Sequence, residues 1–339
     1  MISFYLSMLN EKYTEKGMLS KSLDFLADII FHPNFYDEEK FQEAFQFLYQ
    51  SMETSILGLK ENPTLYSAVR MLEEMDPDMP YAYHEHGYLE DLEKIDKKSL
   101  EEYYHKIISS SLVDIYVIGS FDEEEMLNLL KEKMAFETFK RPKVSQLILQ
   151  EKLPRRSKVR KEEIDGNQSK LSIGCKIGEL TEFERNYVLS IYNMILGSGS
   201  ESKFFRIIRE KHSMAYYVYS SLNKLDSLML IRAGISKSNF EHVVKLIKKE
   251  MKEMEEGNFK DEDIVIAKNN YLTLLKEIED NENAIIETYL AKDLLNLGDI
   301  EERKQMIKKV TKEDIVKVAK KVKIDTIFLL EGNKEDEGN

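Results

Sequence analysis

Cysteine is almost absent from the sequence, and so are long apolar runs and a surplus of basic residues. The single cysteine, Cys175, excludes an internal disulfide framework and is consistent with a reducing compartment. No apolar run approaches the roughly 20 residues that a membrane span requires, and the N-terminus lacks the pattern of a signal peptide. With 49 basic and 62 acidic residues the formal charge is −13, which repels a nucleic-acid backbone. We therefore expect a cytoplasmic protein that binds neither nucleic acid nor membrane.

What the chain does contain is a partial repeat of itself. The stretch "NFYDEEKF" from Asn34 resembles "NFKDEDIV" from Asn258, and each opens a long amphipathic helix with an acidic first turn. In the same way Ile95–Gly119 resembles Val310–Gly332, since both predict a capped helix followed by a buried strand that ends at glycine. Each half therefore predicts the order strand, helix, long helix, helix, strand.

The repeat is incomplete at the front of the first half, where a single predicted strand, Ile2–Leu9, precedes the helices. The second half has an additional front section: a strand at Ser169–Cys175, a helix at about 182–196, a Gly-Ser turn, a short helix to Lys211, and a hairpin at 215–222 and 229–235. The repeat offset is 258 − 34 = 224, so about 60 residues of the second half have no counterpart in the first. A half-domain that opens in mid-sheet leaves an exposed edge. Truncation relative to its relatives is the favoured explanation, and a covering partner or an altered local fold is the alternative.

A stretch rich in proline and basic residues separates the two halves. Its extended apolar segment, Val144–Leu149, predicts one added strand, and the basic residues leave a local acid-binding patch as an alternative to a solvated linker. The predicted domains are 1–138, a truncated N-terminal domain; 139–164, the linker; 165–335, the C-terminal domain; and 336–339, an acidic tail.

The densest group of small residues is the Gly-Ser run from Gly197 to Ser200. A phosphate-binding loop of the Walker type follows a strand and ends in Gly-Lys-Ser/Thr. Here the run follows an amphipathic helical stretch, and the nearby Lys203 is followed by Phe204. The pattern therefore favours a tight turn between two helices over a nucleotide site.

Taken together, these segments resemble the pitrilysin/insulinase superfamily of zinc peptidases (M16), which includes the mitochondrial processing peptidases, and in particular its bacterial YmfF-like, non-catalytic members. The matching stretches include "LDFLADIIFHPNFYDEEKF" and "GYLEDLEKIDKKSLEEYYHKIISSSLVDIYVIGSFD" in the first half. In the second half they are "QSKLSIGCKIG", "ILGSGSESKFFRIIREKHSMAYYVYSSL" and "MKEMEEGNFKDEDIVIAKN". The resemblance implies an α+β fold of two homologous half-domains, each a mostly antiparallel sheet backed by helices, the first lacking its N-terminal part.

Active members of the superfamily bind zinc through an H-x-x-E-H helix and a distant glutamate, and the motif glutamate acts as general base on the bound water. Here no histidine pair has that spacing: the six histidines are His32, His84, His86, His105, His212 and His242. The distant glutamate falls near Ser55, while Glu53 is two residues away and faces another side of the helix. His84 and His86 could bind zinc, but only two ligands are visible. We therefore expect neither a metal site nor a cofactor in this chain.

The resemblance also assigns a role to Arg209 and Tyr216, which match an arginine and a tyrosine seven residues apart in the family. These side chains point toward the substrate carbonyl, where a guanidinium and a phenol stabilise developing negative charge. His212-Ser213 departs from the family's basic-Gly pair at the intervening turn. The alternative interpretation is a surface arginine paired near Glu210 and a tyrosine with a solvated hydroxyl.

Three hypotheses for function follow from this resemblance. The first is a non-catalytic subunit that binds a polypeptide substrate and pairs with an active M16-type partner or with a second copy of itself. The second is a fragment of an active zinc endopeptidase whose H-x-x-E-H segment lies upstream. The third is an assembly module that binds no peptide.

Overall fold

A computed structural model describes residues 2–136, 148–149 and 152–333. These residues fall into two compact units, which comprise residues 2–56 with 86–136, and residues 57–85 with 148–149 and 152–333. The second unit thus includes residues 57–85, which the sequence analysis assigned to the first domain. The predicted linker strand falls largely, and the acidic tail entirely, outside the described residues.

The α+β class is confirmed: helices occur in both units, and the strands of the described residues form one mixed sheet. The helices are α1 (Met18–Phe31), α2 (Glu38–Leu57), α3 (Pro63–Met75), α4 (Leu89–Leu92), α5 (Lys97–Ser110), α6 (Glu123–Lys133), α7 (Leu189–Leu196), α8 (Phe240–Glu256), α9 (Asp261–Glu279), α10 (Glu282–Leu295), α11 (Ile300–Lys309) and α12 (Lys312–Lys320). The strands are β1 (Lys158–Ile164), β2 (Ser169–Ile177), β3 (Tyr217–Asn223), β4 (Leu228–Ile235) and β5 (Val322–Gly332). None of these helices is long and apolar enough to cross a bilayer.

The first unit is built from helices whose starts are visible in the sequence. Asp96 and Ser99 form a capping box at the start of α5, and Asp122 caps α6. Its small core joins α1 to α6 through buried apolar side chains, namely Leu23, Ile30, Met126 and Met134.

The prediction of two strands in the first half is wrong. Neither Ile2–Leu9 nor the segment before Gly119 belongs to a sheet in the described structure. In the second unit the matching strands, β4 and β5, both pair with β2. Within residues 2–136 the structure has no counterpart of β2, so these two segments lack a strand that would satisfy their backbone groups. Their apolar side chains stay exposed, at 51% for Ile2 and 47% for Ile115.

The second unit is organised around a five-stranded sheet in the order β1-β5-β2-β4-β3. Only β1 and β5 run parallel; the other neighbours are antiparallel, with β2 at the centre. The strand predicted at Ser169–Cys175 and the predicted hairpin are therefore confirmed as β2, β3 and β4. A capping box of Thr311 and Asp314 starts α12, which leads directly into β5.

Both faces of this sheet are covered. On one face Leu171, Ile173 and Cys175 of β2 lie in the main core with residues of α7, α8 and α12. On the other face α3 packs through Met71 and Met75 onto apolar residues of β4 and β5. Gly174 belongs to this second face, since a Cβ there would lie 2.6 Å from the sulfur atoms of both methionines. The helix α3 is therefore an integral layer of the second unit.

Candidate functional site

The Gly-Ser loop is held against β3 by hydrogen bonds and does not form a phosphate-binding loop. The Ser220 backbone N–H donates to the Gly197 carbonyl at 2.9 Å, and the Ser220 hydroxyl bonds to Asn193 Oδ1 at 2.7 Å. A Cβ on Gly197 would lie 2.3 Å from Ser220 Oγ and 2.6 Å from Phe204 Cδ2. Lys203, the candidate phosphate ligand, instead forms a buried ion pair with Glu250. The loop thus needs glycine for close packing, as a turn between helices does.

Arg209 lies on a π-helical segment, Phe205–Lys211, that follows this loop. Such segments are uncommon and occur frequently at functional sites. The Arg209 guanidinium stacks on the Phe205 ring at 4.7 Å from its centroid, and its Nε lies 3.9 Å from Glu210 Oε1. Its side chain is 45% exposed, so most of its donors remain available to a ligand.

The turn after the π-helical segment is closed by Ser213. Its φ of +52° lies in the left-handed region, and its N–H donates to the Arg209 carbonyl at 3.0 Å. The next residue, Met214, donates its N–H to the Ile208 carbonyl at 3.0 Å. Serine therefore adopts here the backbone conformation that a glycine adopts without strain.

Replacing Ser213 by glycine is expected to stabilise the protein by about 0.5–1 kcal/mol, because the left-handed conformation is strained for a residue with a Cβ. Thermal unfolding checks this. Ser236→Gly, at a position with φ of −75°, is the control and is expected to lower the melting temperature. A loss of stability in Ser213→Gly would contradict the strain argument.

Arg209 and Tyr216 line one surface depression of about 430 Å³. The Tyr216 backbone N–H donates to the Gly234 carbonyl at 2.9 Å, which holds this residue beside the sheet while its side chain is 55% exposed. The remaining lining residues are largely polar: Glu210, Ser213, Met214, Ala215, Ser236 and Asn239. The structure thus brings both sequence-predicted site residues to one polar surface rich in hydrogen-bonding groups.

The residues that the sequence analysis considered as metal ligands do not form a metal site. His84 Nε2 lies 2.7 Å from Glu73 Oε1. Ser55 Oγ donates to the Ser51 carbonyl, and burial raises the pKa of the Cys175 thiol, which disfavours the thiolate that binds metals. Within residues 2–136, 148–149 and 152–333, no three His, Cys, Asp or Glu side chains are grouped to hold a metal ion. These residues do not fit the zinc site of the active peptidases.

A polar network between α3 and β1 was not predicted. Tyr66 donates to Glu162, and Arg70 Nε donates to the same carboxylate at 3.0 Å. Burial, followed by the hydrogen bond to Glu162, raises the pKa of Tyr66 to about 12. Arg160, read from sequence as part of a basic linker, pairs with Glu74 at 2.9 Å. The density of basic residues in the linker was the one sequence signal for this network. No sequence pattern indicates that residues 66–74 contact residues 160–162.

Comparison with known proteins gives a consistent set of relatives. Residues 94–271 match the family described as "Peptidase M16 inactive domain". The chain is 29% identical over 342 residues to the "Probable inactive metalloprotease YmfF" of Bacillus subtilis, covering 98% of this chain and 78% of the relative. It is 24% identical to an "Uncharacterized zinc protease" of Rickettsia felis, covering 89% and 72%.

Solved structures agree with this result. A conserved protein from Enterococcus faecalis V583 superposes with a TM-score of 0.85 at 27% identity, over 97% of this chain and 78% of that one. A protease from Helicobacter pylori has the same fold, with a TM-score of 0.74 at 15% identity, over 93% and 77% of the two chains.

Proposed function

The chain belongs to the peptidase M16 family, and from that membership we propose that it is a non-catalytic subunit that binds polypeptide. In this proposal the surface around Arg209 and Tyr216 holds an extended segment of the bound chain. A second, zinc-containing member of the family supplies the catalytic site. The single cysteine favours a reducing compartment such as the cytoplasm as its location.

The observation that carries this proposal is the depression shared by Arg209 and Tyr216. Both side chains are about half exposed and offer hydrogen-bond donors, while the surrounding side chains add further polar groups. An extended polypeptide presents a carbonyl at every residue, and guanidinium and phenol groups donate to such oxygens. Stacking on Phe205 limits the motion of the guanidinium, which reduces the entropic cost of binding.

Arg209→Ala is expected to weaken the binding of a fluorescently labelled unfolded polypeptide by about tenfold, the effect of losing about 1.5 kcal/mol from a charged donor. Tyr216→Phe removes one neutral hydroxyl and is expected to weaken binding by about threefold to tenfold. Fluorescence polarisation measures both effects.

Arg206→Ala is the matched control, because Arg206 lies on the same π-helical segment but pairs with Asp263 at 2.8 Å. It is expected to leave affinity unchanged. Equal affinities for all three variants and the parent chain would contradict peptide binding at this surface and favour the assembly module.

Pairing is tested separately by mixing the protein with an active zinc peptidase of the same family. Co-elution and a change in the rate of peptide cleavage are expected. Absence of both contradicts the proposed pairing, and light scattering of the isolated protein determines whether it pairs with itself instead.

The second candidate is a fragment of an active zinc endopeptidase, and the exposed apolar segments of the first unit favour it. Ile2–Leu9 and the segment before Gly119 correspond to strands that flank β2 in the second unit. A preceding strand-and-helix segment would pair with them and could carry H-x-x-E-H. The coding sequence upstream of Met1 tests this directly, and stoichiometric zinc in the longer protein would support it.

A further inference from the structure

Three cationic side chains of the second unit lie on or against one π-helical segment that the proposed function does not use. Arg185 belongs to the π-helical segment Glu184–Val188, Lys224 to the turn between β3 and β4, and Arg303 to α11. The helix α11 packs against that π-helical segment. Lys224 Nζ donates to the Asn186 carbonyl at 2.9 Å, so the ammonium lies against the segment that carries Arg185. We refer to these three residues as the basic cluster.

The hydrogen bonds of the basic cluster end on neutral oxygen atoms. Arg185 donates to the Leu180 carbonyl at 3.1 Å, and Arg303 donates to the Tyr271 hydroxyl at 3.2 Å. In the part of the chain that the structure describes, no carboxylate forms an ion pair with any of the three cations. In contrast, the neighbouring cation Lys321 does have a carboxylate partner, since its Nζ lies 2.9 Å from Glu184 Oε2.

Among the described residues, this arrangement leaves both charge and hydrogen-bonding capacity unsatisfied. Arg303 Nε is buried and donates to no described atom, which is costly for a charged donor. Burial first, and then the charges of Arg303 and Arg185, lower the pKa of Lys224 to about 7. Like charges that converge inside a protein destabilise it unless an anion lies between them.

We propose that the basic cluster binds a phosphate group. Two guanidinium groups provide planar pairs of donors that match the oxygen atoms of a tetrahedral oxyanion, and the ammonium adds a point charge. Phosphate carries between one and two negative charges near neutral pH and accepts several hydrogen bonds. It would therefore accept a hydrogen bond from Arg303 Nε and offset the repulsion among the three cations.

The test compares thermal unfolding in 10 mM inorganic phosphate with unfolding in chloride at equal ionic strength. A rise in melting temperature of about 3 °C or more is expected for the unmodified protein, because a ligand that binds only the folded state stabilises it. Adenosine monophosphate in parallel separates the two sources of phosphate. A rise with this ester alone indicates a phosphate group on a larger molecule, and a rise with inorganic phosphate indicates the free ion.

Lys224→Gln and Arg303→Gln are each expected to abolish the phosphate-dependent rise, whereas Lys252→Gln, at a lysine whose side chain is 73% exposed, retains it. Both cluster variants are also expected to melt at an equal or higher temperature in chloride, because one of three repelling charges has been removed. If Lys224 and Arg303 only stabilised the fold, their replacement would lower the melting temperature in chloride. The proposal is overturned if neither phosphate compound raises the melting temperature, or if the variants respond as strongly as the parent protein.

Discussion

Replacing Glu250 by alanine is expected to destabilise the second unit by about 3–5 kcal/mol, because it leaves a buried ammonium without its counter-ion. Lys203 Nζ lies 3.0 Å from Glu250 Oε2, and the two side chains are only 10% and 3% exposed. Among the described residues, the one further acceptor of Lys203 is the Asn258 carbonyl at 3.3 Å, which carries no full charge. Urea unfolding followed by circular dichroism measures the decrease in the free energy of unfolding.

The double variant Lys203→Met, Glu250→Leu separates the charge effect from the loss of packing. It removes both charges and fills a similar volume, so it is expected to recover most of the lost stability. Glu256→Ala is the exposed control, since its pair with Lys252 is 3.5 Å long with side chains 73% and 48% exposed. That change is expected to cost less than about 1 kcal/mol. Equal effects of Glu250→Ala and Glu256→Ala would show that the buried pair has no special role.

Gly197→Ala is expected to cost about 2–3 kcal/mol, the upper part of the range for overpacking a filled interior. The φ of Gly197 is −150°, outside the left-handed region that favours glycine. The obstacle is steric, because the added methyl group would overlap Ser220 and Phe204, which are 4% and 0% exposed. The loop would have to move away from β3, and the hydrogen bond between Ser220 and the Gly197 carbonyl would lengthen.

Two further variants test this explanation of Gly197. Ser198→Ala, at the next and partly exposed position, is expected to change stability by less than about 0.5 kcal/mol. Ser220→Gly combined with Gly197→Ala removes one of the two overlapping neighbours, so the two changes are expected to be less costly together than their sum. Additive losses would indicate that the close approach of the loop to β3 does not determine stability.

The sequence identified the features that depend on short stretches of chain. The capping residues Asp96 and Thr311, the strand at Ser169–Cys175, and the paired spacing of Arg209 and Tyr216 are all local patterns. The family resemblance singled out Arg209 and Tyr216 as substrate-binding residues, and that role stays a prediction. Residue spacing alone would not place one side chain of a π-helical segment beside another at the start of a strand.

What the sequence did not reveal depends on contacts between distant segments. The alternation in Ile2–Leu9 is a sound strand signal, yet a strand forms only where a neighbour completes its ladder. The amphipathic pattern of α3 showed an apolar face but not which sheet that face would cover. The partners of Lys203 and Arg160 likewise come from α8 and α3, far along the chain.

The position of α3 limits how the two repeats could have been shuffled during evolution. The repeat pattern suggests two interchangeable modules joined by a linker, but the second module borrows a structural layer encoded within the first. An exchange at the linker would strip Leu228, Phe328 and Leu330 of their cover. The second half therefore depends on a helix encoded within the first, and we expect substitutions in 63–75 to be accompanied by changes in the strands beneath them.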